Sequence, residues 1–414
     1  MSSLQPVRGT HDILPDDFRL QKSVADCAAE IAGRYGFKEI TPPVFEFTEV
    51  FARTLGDTSD IVTKEMYTFE DRGGDSITLR PEFTAGIARA FMSNGLAQEI
   101  PCKFFCRGPV FRHERPQKGR LRQFHQVDVE IIGVPGPLAD IEVIAVGAHF
   151  LETLGVLGDA VLQLNTLGDT ESRLAYREKL IGYLEGHKGD LSEDSLARLQ
   201  KNPLRIFDSK DHGDQAVMAD APLLGDHLND HSNEFFTHVR DGLDALGIAY
   251  EINSRLVRGL DYYCHTAFEF VTDTLGAQGA VLAGGRYDGL MEQMGGRAMP
   301  GIGWAAGVER LSMMVGEAPA APNLIVVIPL GDVAEREGLK VTQQLRHAGL
   351  VVEMGYSGNM KKRINRANKA GAGAVVIIGE DELTKGVATV RNMETGEQTE
   401  IALDALVDHL AAYR

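Results

Sequence analysis

The sequence predicts an α+β domain built on a mainly antiparallel sheet, interrupted by a helical insertion and followed by a smaller α/β domain. Three observations lead there. Over about the first 316 residues, short runs of alternating apolar and polar residues recur without regular helical crossovers, which favours antiparallel pairing. Between residues 165 and 238 that alternation disappears, and polar and acidic residues dominate. Residues 317–323, EAPAAPN, have a linker's composition, and a strand, helix, strand, helix, strand pattern follows them.

Taken in order, residues 18–35 place Leu20, Val24, Cys27 and Ile31 at steps of four, three and four, one face of a helix that Gly36 is placed to stop. Residues 37–47 read as a strand, but Pro42 and Pro43 confine it to an edge or the rim of an interface, since each removes a ladder donor. Further strands are expected at 76–80, 103–111, 124–133, 268–272 and 281–284. Leu180, Leu184, Leu196 and Leu199 suggest helices in the insertion, placed at about 165–238. The domains are expected at 1–322 and 323–414. In the second, strands at 324–329, 350–354 and 374–379 alternate with helices at 333–347 and 360–369, closed by Gly349 and Gly371.

A length of 414 residues allows two or three domains. With 43% hydrophobic and 24% charged residues, disordered, collagenous and coiled-coil chains are excluded. A net charge of -17 argues against a dedicated nucleic-acid binder, so any such contact must be local. The longest apolar runs fall far short of the roughly 20 residues that span a bilayer, and the first residues lack the apolar core of a signal peptide. A cytoplasmic protein is expected, with neither a membrane nor DNA as partner. Cys27, Cys102, Cys106 and Cys264 are too few and too irregular for a disulfide framework and read as free thiols. His227 and His231, four apart on an expected helix, lack the glutamate of a zinc motif in HLNDH and read as surface histidines, so no metal site is expected.

Charge inverts locally. Residues 103–123 hold seven basic side chains and one acid, Glu114. A hairpin with arginines on its arms and a basic tip at 116–119 suits an anionic ligand, although a solvated charged hairpin has the same composition. Arg258 and Asp261 flank Gly259, and two tyrosines follow. Gly301, Gly303 and Gly307 lead into Glu309 and Arg310; their spacing is not that of a dinucleotide fingerprint. They suit a strand-to-helix junction where backbone passes close to a ligand. In the C-terminal domain, residues 359–370 carry five basic side chains and no acid, and Lys362, Arg366 and Lys369 share one helix face.

These segments resemble the three signatures of class II aminoacyl-tRNA synthetases: residues 36–44 the first, FRHE at 111–114 the second, GIGWAAGVERL at 301–311 the third. Within that class the chain resembles the histidyl-tRNA synthetase family over essentially its whole length, through RGTHD at 8–12, TLRPEFTAG at 78–86, the segment 107–133 and RGLDYY at 258–263. The resemblance implies a class II synthetase-like catalytic domain and an anticodon-binding-like C-terminal domain. It implies activation of L-histidine by ATP, with Mg2+ accompanying the nucleotide, transfer to tRNA(His), and a homodimer. A histidine-sensing, non-catalytic paralogue, the regulatory subunit of ATP phosphoribosyltransferase, is the rival reading; such paralogues lose motif arginines and the anticodon domain.

By resemblance, Arg112, Arg258 and Arg310 are catalytic, with Arg112 at the α-phosphate and substrate carboxylate, Arg258 at the α-phosphate and Arg310 at the γ-phosphate. Glu114, Arg120 and Phe124 join them at ATP, Phe124 against the adenine. Glu82, Thr84 and Gln126 surround the α-amino group of histidine, and Glu130 and Tyr263 meet its ring, with Tyr262 nearby. Gln117 and Lys118 at the hairpin tip meet the acceptor end of tRNA, and Lys362, Arg366 and Lys369 meet it at the C-terminal domain. Asp128, His113 and His125 receive no role.

Overall fold

The computed structural model describes residues 4–54, 61–201, 203–257, 262–276 and 279–414. Two compact units result, Met1–Ala318 and Pro319–Arg414, and the division falls inside the proline-containing stretch 317–323.

The first unit is built on an eight-stranded sheet whose spatial order is Lys38–Glu39, Cys102–Phe111, Gln123–Ile132, Gly301–Gly307, Ala280–Arg286, Cys264–Val271, Val161–Thr166 and Glu251–Ile252. The inner pairings are antiparallel, and the two-residue edge strands pair parallel. Alternation in Gln123–Ile132 explains the layering: Val127, Val129 and Ile131 are buried in the core beneath one face, while Gln126, Asp128 and Glu130 turn to the other. Two long helices cover much of that core. Pro15–Arg34 starts with proline and two aspartates and ends in arginine, matching the helix dipole, and it buries Val24, Ala28 and Ile31. Leu138–Thr153 is apolar almost all round and stacks Phe150 on Trp304, whose indole donates to Val143 O at 2.9 Å. Each fully buried Val, Ile or Leu here contributes roughly 1.5–3 kcal/mol. The fully buried Arg286 pairs with Asp140 and also donates to the carbonyls of Val134 and Gly136.

The insertion is smaller than the sequence predicts. Its own core runs from Tyr176, Leu180 and Leu184 to Met218 and Leu224. Asn165 and Thr166 instead end a strand of the main sheet, and helix Asp230–Ala245 packs Phe235, Val239 and Leu243 into the main core. Asn165 is polar because its amide reaches Leu256 O at 2.9 Å, and an apolar stripe at steps of four does not say which core it serves. His227 and His231 are not on one helix: His227 closes a turn, and Asn229 then caps the helix that carries His231 by accepting from Ser232 N.

A second, three-stranded sheet holds Ser76–Leu79 between Phe45–Phe47 and Tyr67–Glu70. Phe45–Phe47, just after Pro42 and Pro43, is an edge strand.

In the second unit Leu324–Pro329 lies between Val351–Met354 and Ala372–Ile378, all parallel, with helices Asp332–His347 and Met360–Lys369 making the crossovers. Val387–Asn392 and Gln398–Ala402, for which the sequence carries no expectation, extend the sheet as an antiparallel hairpin.

Candidate active site

A cleft of about 220 Å3 opens on the polar face of the eight-stranded sheet. It brings together Glu82, Thr84, Arg112, Glu114, Arg120, Phe124, Gln126, Glu130, Tyr262, Tyr263 and Arg310, residues that lie as far apart in the chain as 82 and 310. Arg258 and Asp261 lie outside the described residues.

The acidic side chains of the cleft are fixed by hydrogen bonds. Glu82 precedes helix Thr84–Ser93, and its carboxylate accepts from Thr84 N at 2.6 Å and Ala85 N at 2.9 Å, a capping arrangement for otherwise unpaired donors. Glu130 accepts from Thr84 Oγ1 at 2.6 Å and from Tyr287 Oη at 2.5 Å. Burial pushes the Glu130 carboxyl up to about 8 and also raises Glu82, against the pull of its backbone donors. Asp128 lies well above the usual carboxylate range through burial, then through Glu130 and Glu82. Such a cluster of buried acids opposes folding and suits a cationic, hydrogen-bonding guest.

The same cleft also holds cations. Arg112 follows strand Cys102–Phe111; its Nε donates to Pro81 O at 2.9 Å, and its guanidinium lies 5.3 Å from the Phe124 ring centre. Burial lowers its proton affinity, and Glu65 and Glu82 oppose that effect. Arg310, in the first turn of helix Val308–Val315, donates from Nε to Gly119 O at 3.1 Å and from Nη1 to Ala280 O at 2.7 Å. Arg120 pairs with the buried Glu114. Arg112, just after a strand, and Arg310, in the first turn of a helix, are thus preset on different elements, a geometry that can hold a polyanion from two sides.

Sequence reasoning missed the Tyr287 contact to Glu130. A buried tyrosine needs a partner for its hydroxyl, but nothing local in GGRYDG identifies which one. It also gives His125 no role: the His125 N–H donates to both Glu309 oxygens at 3.0 Å and its Nδ1 lies 2.9 Å from Oε1, tying strand Gln123–Ile132 to the helix that carries Arg310. Gln117 and Lys118 are exposed at the hairpin tip, where the backbone of Gln117 and Arg120 exchange hydrogen bonds; they do not line the cleft. Lys362, Arg366 and Lys369 are exposed on helix Met360–Lys369 of the second unit, opposite the buried Ala367. Among the described residues no group of three or more His, Cys, Asp and Glu could hold a metal ion.

An antiparallel sheet with an acidic pocket, two inward arginines and a Gly-rich strand leading into a helix defines a class II aminoacyl-tRNA synthetase catalytic domain. Residues 9–311 match the histidyl-tRNA synthetase family, and residues 324–413 match the anticodon binding domain family. A histidine–tRNA ligase of Rhodospirillum rubrum is 61% identical over 414 residues, covering 100% of both chains, and one of Wolbachia pipientis from Culex pipiens is 50% identical over 406 residues, covering 98% of this chain and 99% of its own. The crystal structure of apo Staphylococcus aureus histidyl-tRNA synthetase superposes with a TM-score of 0.84 at 35% identity, covering 98% of this chain and 99% of the other. The chain belongs to the histidyl-tRNA synthetase family.

Proposed function

We propose that this cleft is where L-histidine is activated by ATP, giving histidyl-adenylate and pyrophosphate, before the histidyl group passes to the 3′ end of tRNA(His). The reaction is that of the family. The observation that carries the residue roles is the mixed charge of the cleft, which gathers the buried carboxylates Glu82 and Glu130 with the guanidinium groups of Arg112 and Arg310. Attack of the histidine carboxylate on the α-phosphorus gathers negative charge there, so catalysis needs positioning and fixed cations more than proton transfer. Arg112 serves the α-phosphate and the carboxylate, Arg310 the γ-phosphate, and Arg258 the α-phosphate from the amino-acid side. Phe124 offers its remaining face to adenine, and Glu114 and Arg120 complete the ATP site. Mg2+ enters with the nucleotide as part of the substrate.

Glu82, Thr84 and Gln126 take the ammonium group, while Glu130 and Tyr263 take the ring, with Tyr262 nearby. Glu130 is held by two donors, so its orientation is fixed before the imidazole arrives. A polar pocket of this kind rejects amino acids that leave its groups unpaired by about 10⁴ to 10⁵. Gln117 and Lys118 on the exposed hairpin tip serve the acceptor end, and Lys362, Arg366 and Lys369 serve tRNA on the second unit. Retention of Arg112, Arg310 and the C-terminal unit disfavours the regulatory paralogue.

The assembly is a homodimer. Phe45, Phe47 and Phe69 are 57%, 54% and 47% exposed on one face of the three-stranded sheet, where Phe47 and Phe69 flank Ile77 across neighbouring strands. An apolar row of that kind is what an isologous interface buries. The protein works in the cytoplasm; among the described residues no helix is long and apolar enough to cross a membrane. ATP–pyrophosphate exchange against all twenty amino acids tests the reading: exchange should peak on histidine, and no exchange with any amino acid would sink it.

A further inference from the structure

Between Gln126 and Glu130, both of which line the cleft, the same strand carries Asp128, and the pleat turns it to the same face. Asp128 is 1% exposed, and among the described residues neither of its carboxylate oxygens has a hydrogen-bond partner. Few buried polar groups are left so, and each such group needs a reason. The charged and titratable groups around it are Glu130 on its own strand, Glu82 and Arg80 from the segment that enters helix Thr84–Ser93, Cys106 and Arg112 from the neighbouring strand and its end, and Tyr287 beyond strand Ala280–Arg286. Ala305, opposite on the other neighbouring strand, brings no charge. Both arginines are already engaged by carbonyls, Arg80 with Pro42 O and Pro109 O and Arg112 with Pro81 O.

We propose that Asp128 is a third carboxylate of the amino-acid site, a positioning residue whose negative charge beneath the cleft floor holds the ammonium group of bound histidine. The inference rests on the reading of the cleft as a histidine site. The ammonium is the substrate's permanent cation at neutral pH, whereas most of the imidazole is neutral there. Burial beside Glu130 and Glu82 makes the empty site retain the Asp128 proton. An ammonium group placed nearby favours the ionised form, so histidine uptake releases a fraction of a proton to solvent.

Two ligands separate this role from a merely structural one: L-histidinol, which keeps the ammonium and the ring, and the same alcohol without its amino group. Calorimetric titration of the full chain should show Asp128→Asn weakening histidinol at least about tenfold and the amino-free alcohol less than about twofold, the scale set by one charge-assisted hydrogen bond. In buffers of different ionisation enthalpy the wild type should release protons on binding histidinol, and the variant fewer. In pyrophosphate exchange the variant should raise the histidine KM at least about tenfold with kcat within about threefold and the ATP KM unchanged. Histidinol affinity within about twofold of wild type, or equal weakening of both alcohols, overturns the proposal. If the variant does not fold, the wild type can still overturn the proposal, because histidinol binding without proton release contradicts it. Failure of the wild type to bind histidinol at all would instead overturn the amino-acid site.

Discussion

Glu130 and Gly303 face each other across neighbouring strands, and the Glu130 carboxylate fills the space that a side chain at Gly303 would need. A Cβ built on Gly303 would lie 1.8 Å from Glu130 Oε2 and 2.3 Å from Val129 O. Gly303 does not have a left-handed backbone, so the requirement for glycine is one of space. Gly303→Ala should therefore expel the Glu130 carboxylate from its bonds to Thr84 and Tyr287. Histidine-dependent pyrophosphate exchange should fall at least about a hundredfold, the scale of a misplaced binding group, while ATP binding, which draws on Arg310, Arg120 and Phe124, persists. Exchange within about threefold of wild type would show that the carboxylate can sit elsewhere.

Glu130 also predicts how stability depends on pH. Its folded-state value, pushed up to about 8 by burial, exceeds the ordinary 4.5, so the folded chain binds more protons than the unfolded chain between those values. Stability from this group is fully present below about 4.5 and is lost as pH rises towards 8. Glu130→Gln removes the buried charge and should flatten the fall in Tm from pH 5 to 8, with a Tm at pH 8 at least about 3 °C above wild type. Asp128, raised for the same reason, leaves part of the slope in place. An unchanged slope in thermal melts would contradict the burial argument, and the gain in stability should come with loss of histidine activation.

How far the sequence foretold this site follows from what each signal encodes. The cationic arm was visible because Arg112 and Arg120 fall in one short charge inversion, and the alternating run at 124–133 marked the strand that carries Gln126 and Glu130. The strands at 76–80, 103–111, 124–133, 268–272 and 281–284, the proline-marked edge and the α/β unit after residue 323 were legible for the same local reasons. Tyr287 and the His125–Glu309 tie were not, since each joins residues more than 150 positions apart whose pairing depends on strand order. Strand order in an antiparallel sheet leaves no local mark. The insertion's limits failed similarly, because the stripe of Phe235, Val239 and Leu243 fits either core equally well.

The exposed phenylalanine row predicts the assembly. Phe47→Asp places a charge beside Ile77 and Phe69 on the three-stranded sheet, where the fold of one chain barely uses the ring but a two-fold contact would bury it. Sedimentation at micromolar concentration should show a dimer for the wild type and a monomer for the variant, with Tm of the monomer's main transition lowered by no more than a few degrees. A wild-type monomer, or a dimer undisturbed by the charge, would place the interface elsewhere.

Helix Met360–Lys369 predicts how the second unit meets RNA. Its first turn holds Lys361, Lys362 and Arg363 with no acid, although the N-terminal end of a helix favours negative charge. These cations oppose the helix that carries them, a cost that an approaching phosphate backbone offsets. They are not equivalent: Arg363 donates to Gly358 O and Pro329 O, and Arg366 donates to Ser357 O at 2.8 Å, so both also fasten the loop before the helix. Lys362 and Lys369 are exposed, and Lys362→Ala with Lys369→Ala isolates the electrostatic part without loosening that loop. The double variant should keep histidine-dependent pyrophosphate exchange at the wild-type rate, because that step needs no tRNA. Its tRNA(His) affinity should fall at least about fivefold at low salt, and the slope of log affinity against log salt should shrink by roughly one to two. A wild-type slope in the double variant would mean that phosphates dock on another face of the unit.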